Sequence, residues 1–408
     1  MRIVYVLTSL GMGGAERQVL ALGESMARRS HSVALLVLRP RLGEEWPTQL
    51  DAIHLGMRKS PWSVLASAAR GRRFLREFRP DIVHSHGFHG NLMARIWRLL
   101  GASPRPVSTI HNVYEGGSAR MLAYRFTDPL SALTTAVSHA AAERFTRLKA
   151  VRQGKCLVLF NGINTEEFAP RAERRARMRG EMGVDKEFVW LAAGRIVPAK
   201  DYPNLLRAFA RLGKIAGEGT NEGCPRSGAL SEESLPLGWR SVCSDRVLRL
   251  WIAGEGPENE IAKLRRPASD LSIEESVRFL GLRRDLPALL DAADGFVLSS
   301  AWEGMPLAVG EALAMEKPVV ATDVGGTREL IGEAGILVPA RNSNALAEGM
   351  LSVMQMSQEE RKAIGAQARA RICESFSLDA KADEWEGLYS RVEREGTGFS
   401  PYVAANRK

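Results

Sequence analysis

The densest chemistry lies in Ser299-Ser300-Ala301-Trp302-Glu303-Gly304-Met305-Pro306-Leu307-Ala308-Val309-Gly310-Glu311-Ala312. It follows a β-rich run, Gly295–Leu298, and leads into a helical run, Leu307–Ala314. Glu303 sits in the loop before that helix and Glu311 about one turn inside it. The spacing puts both carboxylates near one cleft at different depths. A carboxylate accepts two hydroxyl hydrogen bonds, which suits the diol of a sugar or a ribose. The amides of Gly304, Met305 and Leu307 lie at the helix N-terminus and can hold an anion; Pro306 between them has no N–H. Two solvated glutamates would be the plainer reading, but Glu311 lies among apolar residues, where a polar group needs a partner.

Two further segments have residue types that suit phosphate. Gly194-Arg195 follows the run Phe188–Ala193, and Lys200 lies five residues beyond Arg195. A strand end aims such side chains at the edge where open α/β sheets bind ligands, and a guanidinium with an ammonium suits a diphosphate. Alone, the pair would read as two surface cations. Gly11-Met12-Gly13-Gly14 lies between the run Ile3–Leu7 and a helical run, Glu16–Ser30. Backbone amides there can approach a phosphate, or the glycines can serve a tight turn. His84, His86 and His89 lie close together. No second ligand group accompanies them, so a cleft-lining or core role is favoured over zinc.

These segments must be held by the elements around them. Short Val/Ile/Leu-rich runs alternate with longer helical stretches twice along the 408 residues. In the first half the remaining runs are Val33–Leu38, Ile53–Leu55, Ile82–His84, Val107–Ile110, Leu133–Val137 and Leu157–Phe160. In the second they are Val247–Ala253, Val277–Leu280, Val319–Thr322 and Ile336–Val338. Val64–Phe78 and Leu205–Leu212 read as helices. Near-continuous apolar strands between helices predict parallel sheets covered on both faces, hence two doubly wound α/β domains. The boundary is expected in Ala169–Asp185, giving domains 1–175 and 176–376. Residues 213–245 are rich in glycine and serine and interrupt the second pattern; they read as a flexible insertion, with an ordered lid or partner-binding insertion as the alternative. Cys156, Cys224, Cys243 and Cys373 are scattered and fit free thiols in a reducing cytosol. No apolar run is long enough for a membrane span.

The net charge of +9 is uneven. Residues 1–180 hold 28 Lys/Arg and 13 Asp/Glu, and residues 181–408 hold 28 and 34. A basic half can face nucleic acid, an anionic membrane or an acidic substrate. Arg70, Arg72, Arg73, Arg76 and Arg79 accompany Leu65, Phe74, Leu75 and Phe78. That pattern fits a helix with a charged outer face, or a surface that meets anionic lipid. No nucleic-acid recognition module is apparent.

Taken together, the chain resembles glycosyltransferase family 4, retaining nucleotide-sugar-dependent enzymes of the GT-B fold. The resemblance runs from Gly11–Glu16 to the C-terminal helix around Trp385. It is carried by Glu303 to Glu311, Val319-Val320-Ala321-Thr322-Asp323-Val324-Gly325-Gly326, and Gly194-Arg195 with Lys200. His84-Ser85-His86, Ser138, Asn161-Gly162-Ile163 and Gly254-Glu255-Gly256-Pro257 add to it.

The resemblance implies two Rossmann-like domains facing across a cleft, with a helix at about 377–395 packing back on the first. It implies that Glu311 holds the nucleotide ribose, and that Glu303 contacts donor-sugar hydroxyls. The Gly304, Met305 and Leu307 amides would cradle sugar and phosphate, with Gly13 and Gly14 facing the phosphates. Arg195 and Lys200 would neutralise the departing diphosphate. His111, in Ile110-His111-Asn112, would lie beside the anomeric region, and His86 on the acceptor side. Where the family often has Lys-Gly, this chain has Lys200-Asp201, which keeps the charge and alters the loop.

No Asp-x-Asp pair is present, so neither a metal nor another cofactor is expected beside the nucleotide-sugar donor. The expectation is transfer of a hexose-type sugar to a glycan or lipid-linked acceptor in cell-surface polysaccharide or glycolipid synthesis. The site would be cytoplasmic, with peripheral association on the membrane face as the sharper reading. A nucleotide-sugar epimerase and a non-catalytic nucleotide-sugar-binding partner remain the rivals.

Overall fold

The computed structural model describes residues 1–11, 13–41, 45–217 and 247–395. The chain divides into two compact units. The first comprises Met1–Asn164, Glu303–Leu307 and Glu374–Lys408, and the second Thr165–Trp302 and Ala308–Cys373.

In the first unit the strands are β1 (Arg2–Leu7), β2 (Ser32–Val37), β3 (Asp51–His54), β4 (Ile82–His86), β5 (Val107–Ile110), β6 (Leu133–Ala136) and β7 (Cys156–Val158). They form one sheet in the order β3-β2-β1-β4-β5-β6-β7, and every pairing is parallel. Ile3, Val4, Tyr5 and Val6 of β1 are all fully buried, so both faces of the strand are covered, as its unbroken apolar run requires. One face packs under the helix Gly14–Arg28 and the C-terminal helix Leu378–Glu395, through Val19, Met26, Trp385, Leu388 and Tyr389. The other carries Leu75, Met93, Ala94 and Trp97. The C-terminal helix is also tied by polar contacts. Arg29 bonds Asp383 and, at 2.9 Å, Glu386, while His31 lies 2.8 Å from Glu386.

The second unit contains β8 (Phe188–Ala193), β9 (Leu248–Ala253), β10 (Val277–Gly281), β11 (Gly295–Leu298), β12 (Val319–Thr322) and β13 (Ile336–Val338). Their order is β10-β9-β8-β11-β12-β13, again all parallel. The division after Asn164 gives the charged helix Ala172–Glu181 to the second unit, and its arginines show why. Arg174 pairs with buried Asp291. Arg175 donates to the carbonyls of Asp291, Ala292 and Ala293 at 2.6–3.0 Å, and Arg179 to Ala292 at 2.9 Å. They satisfy the carbonyl end of the helix Leu286–Ala292, where cations also meet the negative end of its dipole.

The helix expected over Leu205–Leu212 runs from Tyr202 to Gly217, past the start of the expected insertion at 213. The rest of that insertion, from 218, lies outside the described residues together with Cys224 and Cys243. Cys156 and Cys373 are free thiols. Burial pushes the Cys156 thiol up to about 12. Among the described residues no helix is long and apolar enough to cross a membrane.

Candidate functional site

Each sheet reverses its strand order once: between β1 and β4 in the first, and between β8 and β11 in the second. Open parallel sheets bind ligands outside the carboxyl ends of the strands that flank such a reversal. The candidate segments follow these strands.

In the first unit, β1 leads to Gly11, Gly13 and Gly14. Gly13 precedes the helix Gly14–Arg28 with no side-chain cap, at φ −97°. None of the three glycines has a left-handed backbone. A Cβ on Gly11 would meet nothing within 4 Å, and one on Gly14 only Leu307 at 3.6 Å. The backbone would accept other residues at Gly11 and Gly14, whereas a Cβ on Gly13 would lie 2.2 Å from the Glu16 carboxylate, and Gly13 N donates to Gly11 O at 2.7 Å across the turn. What the missing side chains of Gly11 and Gly14 do is leave the amides at this strand end uncovered.

His86 ends β4, and His111 follows β5. Nδ1 of His86 lies 2.9 Å from Nε2 of His111. His84, two residues earlier, is fully buried, with Nδ1 2.6 Å from the Tyr389 hydroxyl and Nε2 2.6 Å from Thr109 Oγ1. Its ring centroid lies 4.0 Å from that of His86 and 4.4 Å from that of Trp385, both pairs tilted. Burial lowers all three histidines, His84 and His86 well below the usual range and His111 to about 4. His84 is thus part of the core, and His86 belongs to a histidine pair. Among the described residues no group of three or more His, Cys, Asp or Glu side chains is placed to hold a metal ion.

Behind His111 stands Glu115, which sequence reasoning missed. Its carboxylate accepts the His111 backbone N–H at 3.1 Å and the Tyr124 hydroxyl at 2.6 Å. Burial raises its pKa above the ordinary carboxyl range. A glutamate four residues past a histidine in a loop carries no sequence signal. Only the turn of the loop brings it back to His111.

Glu303–Leu307 groups with this first unit. A Cβ on Gly304 would lie 1.9 Å from the His111 carbonyl oxygen and 3.0 Å from the Asn112 Cα. Met305 Sδ accepts the Asn161 N–H at 3.1 Å. Gly14, His86, His111, Glu303 and Gly304 are therefore parts of one compact unit. Glu311 belongs to the second unit, where it is 5% exposed on the helix Leu307–Ala314.

In the second unit, β8 is followed by Gly194, whose φ of +152° favours glycine. A Cβ there would meet Lys200 Cε at 2.8 Å, and one on Gly254 would meet the Gly194 carbonyl at 1.9 Å. Gly256 is similarly pressed against the Ile196 carbonyl at 2.6 Å. The Gly254-Glu255-Gly256-Pro257 segment thus closes against the Gly194–Ile196 backbone, and Ile196 N donates to Glu255 O at 2.7 Å. Arg195 is exposed at the strand end, and Lys200 closes the short 3₁₀ turn Pro198–Lys200.

The loop after β11 is tied to the same turn. Ser299 Oγ donates to Lys200 O and Ala301 N donates to Ala199 O, both at 2.8 Å. Asp201, at φ +44°, takes a left-handed conformation that glycine adopts without cost. The Lys-Asp departure therefore keeps a glycine-type backbone. After β12, Asp323 pairs with Arg328, and Gly325 turns the chain at φ +56°.

Two doubly wound parallel sheets with ligand-type loops at their switch points make up the GT-B fold. The fold is shared with HepE of Anabaena, solved in complex with UDP, at a TM-score of 0.75. That likeness covers 96% of this chain and all of that one at 20% identity. Two family models match, Glycosyltransferase Family 4 over residues 12–167 and Glycosyl transferases group 1 over residues 236–356. The chain belongs to glycosyltransferase family 4.

Among its relatives is the UDP-Gal:alpha-D-GlcNAc-diphosphoundecaprenol alpha-1,3-galactosyltransferase of Escherichia coli. It is 25% identical over 327 residues, covering 78% of this chain and 77% of that one. A second is the N-acetylgalactosamine-N,N'-diacetylbacillosaminyl-diphospho-undecaprenol 4-alpha-N-acetylgalactosaminyltransferase of Campylobacter jejuni. It is 25% identical over 385 residues, covering 89% and 92%. None of these findings favours an epimerase.

Proposed function

We propose that this glycosyltransferase moves a hexose-type sugar from a nucleotide diphosphate sugar to a lipid-linked or glycan acceptor, retaining the anomeric configuration and needing no metal. The observation that carries the reading is the pairing of Gly194–Lys200 with Ser299–Ala301 on the two strands of one switch point, β8 and β11. That is where a parallel sheet receives a nucleotide. The two relatives act on undecaprenyl-diphosphate-linked sugars, which favours a lipid-linked acceptor here.

In the reaction, the bond between the anomeric carbon and the diphosphate oxygen breaks. The acceptor oxygen bonds to that carbon on the same face, and its proton passes to the departing diphosphate. Negative charge grows on that leaving group. In this reading Arg195 and Lys200 stabilise it, each such fixed group contributing on the order of 10²–10³-fold. Glu311 holds the ribose, and Glu303 a hydroxyl of the donor sugar. The amides of Gly304, Met305 and Leu307, with those of Gly13 and Gly14, serve the phosphates. His111 contacts the sugar.

The helix Pro61–Phe78 supports peripheral association with an anionic membrane face, which would bring the enzyme to a lipid-linked acceptor. Its outer side exposes Trp62 and Leu65 beside Arg73 and Arg76.

The test is a thermal-shift screen of UDP-, GDP- and ADP-sugars, then transfer assays with lipid extracts. Glu311→Ala and Arg195→Ala are expected to lose at least 100-fold in transfer while melting like the parent. Full activity in either would remove the proposed site. A sugar altered without any acceptor would point to epimerisation instead.

A further inference from the structure

The protonation of the His86–His111 pair follows from its surroundings. The 2.9 Å contact joins His86 Nδ1 to His111 Nε2, so one nitrogen donates and the other accepts. His86 is 5% exposed, and its second nitrogen, Nε2, is buried with no hydrogen-bond partner among the described residues. If His111 donated, a neutral His86 would carry its own proton on Nε2, a buried N–H with nothing to receive it. If His86 donates, Nε2 is only a bare lone pair. Orphaned buried N–H groups are the rarer defect, and under-satisfied acceptors are better tolerated. A doubly protonated His86 would leave the same orphaned N–H and add a buried charge 4.0 Å from the His84 ring. Burial and the neighbouring rings hold His86 neutral.

We infer that His86 is a positioning residue that fixes the tautomer of His111: His86 Nδ1–H donates to His111 Nε2, and His111 carries its proton on Nδ1. His111 then offers substrate a hydrogen-bond donor and not a base. Resting on the proposed function, this deepens it. His111 steadies an oxygen of the donor sugar, and the acceptor's proton has to leave on the diphosphate.

The tautomer can be read without any substrate, by long-range ¹H–¹⁵N spectra of histidine-labelled full-length protein at pH 7, with His111→Gln assigning the signal. The expected pattern for His111 is a protonated Nδ1 and a bare Nε2. His86→Leu, which cannot donate, should shift it toward the Nε2–H form or an exchanging mixture. His86→Asn, whose amide can replace Nδ1–H, should restore the parent pattern. A parent His111 protonated on Nε2 would overturn the inference, as would an unchanged pattern in a folded His86→Leu. Should that variant fail to fold, the parent spectrum and His86→Asn still decide.

Turnover of the nucleotide sugar selected by the thermal-shift screen gives the second readout. His86→Leu should lose roughly tenfold in kcat, the share of one aimed hydrogen bond, with KM little changed and most of the loss recovered in His86→Asn. A loss confined to KM would contradict the positioning role. Absence of transfer from every nucleotide sugar in the parent would count against the proposed function, while the spectra would still decide the tautomer.

Discussion

Gly304 presses its Cα against the His111 carbonyl so closely that a Cβ would lie 1.9 Å from that oxygen. Its φ is not left-handed, so this glycine is required by proximity and not by conformation. The obstacle is backbone, which cannot swing aside like a side-chain tip. Gly304→Ala is therefore expected to displace Glu303–Leu307 or the His111 loop. A reacting group misplaced by about 1 Å costs on the order of 10²-fold in rate, and overpacking destabilises by about 1–3 kcal/mol. Turnover and thermal unfolding of the alanine variant check both. Gly14→Ala is the control for stability, because its Cβ would make only an ordinary 3.6 Å contact with Leu307.

Asp201 holds the turn after Lys200 at φ +44° and ψ +48°. A left-handed conformation costs an L-residue about 1–2 kcal/mol, somewhat less for Asp, and glycine escapes it. Asp201→Gly is thus expected to raise stability by about 0.5–1 kcal/mol while leaving the Lys200 turn in place. Denaturant unfolding measures this. A destabilised variant would mean that the aspartate side chain supports the turn in a way its backbone does not reveal.

Thirteen β-rich runs were legible as thirteen strands among the described residues, most plainly where a strand buried on both faces, such as β1, β2 or β8, writes itself as a nearly unbroken apolar run. The glycines at 194, 254 and 256 were legible as motif residues, but their cause was not. Two backbones approach there from strands some sixty residues apart, a relationship no local pattern encodes. The resemblance implied that the helix of Tyr389 and Trp385 packs on the first domain, but their contacts with His84 were hidden for a similar reason. The two side chains reach His84 from a helix about three hundred residues away.

The charge asymmetry also changed meaning. The second unit takes the arginines of Ala172–Glu181, and the first takes the acids of 374–408. The first unit then holds 28 Lys/Arg and 18 Asp/Glu, a net +10, and the second a net −1. The basic character stays with the first unit. Half of the net −6 of residues 181–408, three charges, lies in chain that belongs to the first unit, and residues 165–180 bring a net +2 to the second.

The three buried histidines give the first unit an acid sensitivity. In the unfolded chain each protonates near 6.5; in the fold, burial holds His111 at about 4 and the other two well below 6.5. As pH falls below 6.5 the unfolded state binds more protons, so stability decreases with falling pH. For His111 the decrease runs from about 6.5 to about 4. The slope approaches about 1.4 kcal/mol per pH unit for each histidine in that window. Glu115, raised by burial, works with the opposite sign as one group against three. Urea unfolding across pH 7 to 4, followed by amide exchange in β4 and the C-terminal helix, should show this slope, and it should be shallower in His86→Asn. A flat profile would contradict it.

The outer side of the helix Pro61–Phe78 supplies the last test. Its arginines are not equivalent. Arg70 donates to the Leu55 carbonyl, and the Nε of Arg72 is buried. Arg73 and Arg76 are exposed, and Arg73 pairs with exposed Glu77, a contact of little value in water. Trp62 and Leu65 stand 81% and 60% exposed on the same helix, with Ser67, Gly71 and Leu75 packed inward. Apolar anchors beside exposed cations fit an anionic bilayer, where each basic residue contributes about 1 kcal/mol and salt weakens the attraction. Arg73→Glu with Arg76→Glu should therefore weaken binding to anionic liposomes at low salt by at least about tenfold. Trp62→Ala should weaken it further through lost apolar contact. Co-sedimentation measures both, and equal retention of variant and parent would show that this face does not meet lipid.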